Sequence, residues 1–135
     1  HAPPQVAAVG LRRRPERLVD GMRRTMAEPD RAILARSDVQ AMFRANFAEA
    51  FRQGWRGVAD DYRLYTRPWG FRPEDISVEA DLYPGEADRT VPVIFARRLA
   101  AEIPRCHATF YPGEGHLLAV DHLQELVERA LRHAR

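Results

Sequence analysis

Leu82-Tyr83-Pro84-Gly85-Glu86-Ala87-Asp88 reads as a short strand that breaks at glycine and closes on an acid, and Thr109-Phe110-Tyr111-Pro112-Gly113-Glu114-Gly115-His116 repeats that plan with a histidine at its end. Between them, Val91-Pro92-Val93 marks a helix start, and Ile94, Leu99, Ala100 and Ile103 give the helix one apolar face. Leu123, Leu126, Val127 and Ala130 form a second apolar stripe at spacings of three and four. The pattern predicts strand, helix, strand and helix at roughly 78–83, 92–103, 107–111 and 119–134, an alternation that argues for parallel strands. Sites in open α/β sheets form at the carboxyl ends of such strands, so Asp88 and His116 are expected on one edge. A carboxylate that accepts a histidine's Nδ1 proton fixes the ring tautomer and supports general-base work.

Upstream, the pattern from Pro15 to about Thr66 is helical. Leu18, Met22 and Met26 lie four apart, Pro29 suits a first turn, and Ser37-Asp38-Val39-Gln40 reads as a capping box with Ser37 as the cap. The helix that follows puts Val39, Met42, Phe43, Phe47, Ala50 and Phe51 on one stripe and ends near Gly54. Another short helix, from about Val58, carries Tyr62 and Tyr65. Val6-Ala7-Ala8-Val9 suits the tail of a strand or a simple lead-in equally well. Two segments are expected: a helical one over 1–70 and a β-α-β-α one over 71–135.

The chain has 135 residues, 45% apolar and 30% charged, the balance of a globular domain. No stretch approaches the roughly 18 apolar residues that span a bilayer, and no signal-peptide pattern opens the chain, so a soluble, cytoplasmic protein without a membrane partner is expected. One cysteine makes no internal disulfide. All 21 basic residues are arginine, but 19 acids are interleaved with them and the net charge is only +2. The densest cluster, Arg12-Arg13-Arg14, has no aromatic platform beside it, so nucleic acid is not expected as a partner.

Gly85-Glu86-Ala87-Asp88-Arg89-Thr90-Val91-Pro92 resembles the "G-x-x-D-x-x-V-P" acid loop after the seventh strand of the α/β-hydrolase superfamily, and Phe110-Tyr111-Pro112-Gly113-Glu114-Gly115-His116 is similar to its histidine loop. The resemblance covers roughly residues 10–135, is strongest from Arg67 onward, and follows that family's chain order of nucleophile, acid and histidine. It implies an incomplete α/β-hydrolase-like fold: an N-terminal helical lid, then a C-terminal piece of the core. In that setting Asp88 would orient the imidazole and His116 would be the general base, acting on an ester or related acyl substrate with no cofactor and no metal.

Two features depart from the family. The only serines, Ser37 and Ser77, precede a helical pattern and a strand, and neither sits in a G-x-S-x-G elbow. The chain is therefore expected to be a truncated hydrolase, inactive alone, that needs a complementing N-terminal half. Its start at His1-Ala2-Pro3 without methionine is read as not being a translation start. The first strand, Val78-Glu79-Ala80-Asp81-Leu82, also carries two acids where a central strand would be apolar. Either that strand is exposed, or Glu79 and Asp81 pair with arginines.

Other residues carry plainer expectations. His107, His122 and His133 have no ligand spacing and are read as surface or strand-edge residues. Glu125 with Arg129, and Glu128 with Arg132, are read as solvated i,i+4 pairs. Cys106 is read as a small buried or half-buried residue. Phe43, Phe47, Phe51, Trp55 and Trp69 are read as core, with the lining of an apolar pocket as the other reading. A different class of function stays open: a non-catalytic module that pairs a strand edge with a copy of itself, giving a homo-oligomer, or with another chain.

Overall fold

The computed structural model describes residues 16–54 and 56–133. The Val6–Val9 stretch, the arginine cluster at 12–14 and Trp55 lie outside the described residues. Among the described residues the fold is mixed α/β and mostly helical, with one small parallel sheet of two strands. It divides into two units, His1–Arg24 with Leu34–Gly70, and Thr25–Ile33 with Phe71–Arg135.

The first unit is helical: α1 (Glu16–Thr25), α3 (Ser37–Ala50) and α4 (Arg56–Tyr65). Glu16 in the first turn of α1 and Arg23 and Arg24 in the last suit the helix dipole. Val19, Leu34 and Val39 are buried here. The stripe expected on α3 is only partly realised, since Met42 and Ala50 are exposed and Phe43, Phe47 and Phe51 are half-buried. Phe43 and Phe47 do stack one turn apart, with ring centroids 5.8 Å apart.

The expected cap is also corrected. Arg36 holds the cap position in extended backbone, without a side-chain cap bond, and Ser37 is the first helical residue. The Gln40 amide is engaged elsewhere: its nitrogen donates to the Leu34 carbonyl at 3.0 Å, and its oxygen accepts from Arg44 at 2.9 Å. The carbonyls that end a helix lack internal partners, so a long amide in the next helix serves them instead of closing a box.

The second unit holds α2 (Glu28–Leu34), assigned here by its residues 28–33, a 3-10 turn (Pro73–Asp75), β1 (Ala80–Leu82), α5 (Val93–Glu102), β2 (Cys106–Ala108) and α6 (Ala119–His133). The strands run parallel, with Ala80 opposite Cys106, Asp81 opposite His107 and Leu82 opposite Ala108. They are shorter than the sequence pattern suggests because Pro84 has no N–H to donate. Pairing nevertheless continues: Thr109 N–H donates to Leu82, Tyr111 N–H donates to the Pro84 carbonyl, and Gly85 bridges Tyr111 in parallel.

Met26, Ala27, Ile33, Ile103, Leu117 and Leu118 are buried in this unit. The apolar stripes expected on α5 and α6 are only partly covered: Ile94, Leu123 and Val127 are exposed, as are Phe95 and Leu131. Two strands of three residues offer too little surface to bury both stripes. No described helix is long and apolar enough to cross a membrane.

Candidate acid–histidine site

The parallel pair delivers two loops to the same end of the sheet, and main-chain bonds join them. Glu86 N–H donates to Tyr111 at 3.0 Å, and Ala87 N–H donates to Glu114 at 2.9 Å. Gly85 is buried where a Cβ would collide with the backbone of Glu114 and Gly115. Gly113 turns the second loop at φ +77°, a conformation that favours glycine.

Asp88 and His116, 28 residues apart in sequence, meet at the mouth of these loops, with His116 Nδ1 2.9 Å from Asp88 Oδ2. The other carboxyl oxygen of Asp88 accepts the N–H groups of Thr90 at 2.7 Å and Val91 at 2.9 Å. Asp88 thus serves as a turn-forming aspartate and as the partner of a histidine, one oxygen for each task. Its side chain is 9% exposed, against 38% for that of His116. With a carboxylate accepting at Nδ1, that nitrogen carries the proton, and in the neutral form of the ring Nε2 presents its lone pair. Among the described residues Nε2 has no hydrogen-bond partner. Both groups line an open cavity of about 420 Å³ whose walls include Leu82, Phe95, Leu99, Leu118 and Leu126.

The two other histidines whose side chains are described, His107 and His122, meet glutamates instead. His107 lies 3.7 Å from Glu79, and His122 sits between Glu125 at 3.3 Å and Glu114 at 3.5 Å. The side chain of His133 lies outside the described residues. Burial, and then the charge of Asp81, push the Cys106 thiol up, which disfavours its nucleophilic form. Glu79 pairs with Arg105 at 2.5 Å, so for this acid pairing with an arginine is what the structure contains. Among the described residues no group of three or more His, Cys, Asp or Glu side chains is placed to hold a metal ion.

Sequence reasoning passed over Asp30, a fully buried residue whose Oδ1 accepts the Leu117 N–H at 2.8 Å from 87 residues away. Its one visible trace was an acid placed two residues before a run of apolar positions. No family model, curated protein or solved structure matches the chain.

Proposed function

We propose that this polypeptide supplies the acid and the histidine of a serine-type α/β hydrolase for esters or related acyl compounds. The nucleophile and the oxyanion donors come from polypeptide outside these residues. One observation carries the reading: Asp88 is held by two backbone N–H groups at one oxygen and meets His116 Nδ1 at 2.9 Å with the other. In this role His116 Nε2 takes the proton of the attacking hydroxyl as its bond to the acyl carbon forms, then returns it to the leaving alkoxide. Asp88 keeps the ring in the productive tautomer and stabilises the imidazolium between those two steps. The apolar cavity beside the pair receives the segment that carries the nucleophile.

The test uses a short p-nitrophenyl ester and a fluorophosphonate serine probe. The 135-residue chain alone is expected to be unlabelled and silent. A native assembly that contains it is expected to be labelled and to turn over ester, and His116→Ala is expected to remove that activity by up to about six decades. Turnover by the chain alone that depends on His116, or an assembly indifferent to His116→Ala, would overturn the reading.

A second reading rests on the exposed Ile94, Phe95, Leu123, Val127 and Leu131 of α5 and α6. In it the module is non-catalytic and buries these residues against a second copy, adding strands at an edge of the two-stranded sheet. Light scattering distinguishes the two: a stable symmetric dimer supports association, and a folded monomer removes it.

A further inference from the structure

We propose that Asp30 is a positioning residue for His116, fixing the backbone on both sides of the histidine. The inference rests on the hydrolase reading for what the histidine does, but its geometry stands independently. Leu117, the residue after His116, donates its N–H to Asp30 Oδ1 at 2.8 Å. Gly115, the residue before it, is packed so closely on the Asp30 carboxyl that a Cβ there would collide with it. One carboxyl therefore touches both neighbours of the histidine.

The packing alone does not account for an acid in this place. Asp30 is fully buried, and its Oδ2 has no hydrogen-bond partner among the described residues. An aliphatic side chain would fill the space without stranding a polar oxygen, but it could not hold Leu117 N–H. The loop is held separately by the close approach of Gly85 to Glu114 and Gly115. Held between these contacts, the backbone at 115–117 has little freedom, and the imidazole swings mainly about its own side-chain bonds. A general base gains from such restraint, because small misplacements of the base weaken proton transfer strongly.

The experiment is nuclear magnetic resonance of the full ¹⁵N-labelled chain, reading the His116 ring and the Leu117 amide. Wild type is expected to show a downfield, slowly exchanging Nδ1 proton at His116 that disappears in Asp88→Asn. Asp30→Asn, which keeps an oxygen for Leu117 N–H, is expected to retain that signal. Asp30→Ala is expected to lose it while circular dichroism still reports a folded chain, and a folded Asp30→Ala with the signal unchanged overturns the proposal. Should Asp30→Ala fail to fold, the Leu117 amide decides. Exchange in wild type roughly tenfold or more slower than in an open loop, preserved in Asp30→Asn, supports the clamp. Free exchange at Leu117 in wild type refutes it. Absence of the His116 signal from wild type would strike the Asp88–His116 pairing itself, and the hydrolase reading with it.

Discussion

Gly85 lies against the Glu114 carbonyl so closely that no side chain fits between the two loops. The contact brings the ends of both strands together, since Ala87 N–H bonds to that same Glu114 carbonyl one step before Asp88. Gly85→Ala is therefore expected to force the loops apart. Because the obstacle is backbone, which cannot rotate away, the cost should reach about 2–3 kcal/mol. Urea denaturation measures it, and a loss below about 0.5 kcal/mol would mean the loops are not locked here.

Asp88→Asn separates the two tasks of that side chain. Asparagine keeps an oxygen for Thr90 and Val91 N–H but turns a donor toward His116 Nδ1. Stability should change by less than about 1 kcal/mol, while Asp88→Ala, which loses both backbone bonds, should cost about 2 kcal/mol. The ring proton is expected to move to Nε2 in Asp88→Asn, which ¹⁵N spectra read directly. An unchanged tautomer would show that the carboxylate does not set it.

Much of the second unit was legible because its signals are local. Glycines and prolines placed Gly85, Pro92 and Gly113 at breaks, and apolar spacing placed α5 and α6 within a residue of their observed bounds. The Ser37 cap was misread because Gln40 had a competing use, serving the Leu34 carbonyl, that no spacing rule encodes. Burial was read least well: Ile94, Leu123 and Val127 have the pattern of core residues and lie exposed. Periodicity reports which face is apolar, not whether anything covers it. The bond from Asp30 to Leu117 was illegible for a related reason, since 87 residues separate its ends and no local pattern pairs them.

Cys106 lies in β2 with its thiol pushed up by burial and by Asp81. Since the thiolate is the reactive form, iodoacetamide near neutral pH should alkylate the native chain several-fold more slowly than the chain in urea. Equal rates would place the thiol in open solvent. Within an active assembly, Cys106→Ser is expected to leave ester turnover unchanged, whereas a collapse of turnover would make the thiol part of the chemistry.

His122 should make stability depend on pH in a direction that can be fixed in advance. Burial pulls its pKa down, but hydrogen bonds to Glu125 and Glu114 outweigh this and hold it above the ordinary 6.5. Glu125 is held below its ordinary 4.5, first by the hydroxyl of Tyr111, which donates at 3.0 Å, and then by His122. A raised histidine binds its proton more tightly in the folded chain, so its contribution is complete below pH 6.5 and fades as pH rises through the folded value. The lowered glutamate works in reverse: its contribution is present above pH 4.5 and is lost on acidification. Together they favour the folded chain most between those limits. The melting temperature of wild type minus that of His122→Gln should therefore be positive near pH 6 and shrink toward about pH 9, and added salt should reduce it because these groups are partly exposed. A difference that stays flat or grows with pH would show that His122 is not held protonated by Glu114 and Glu125.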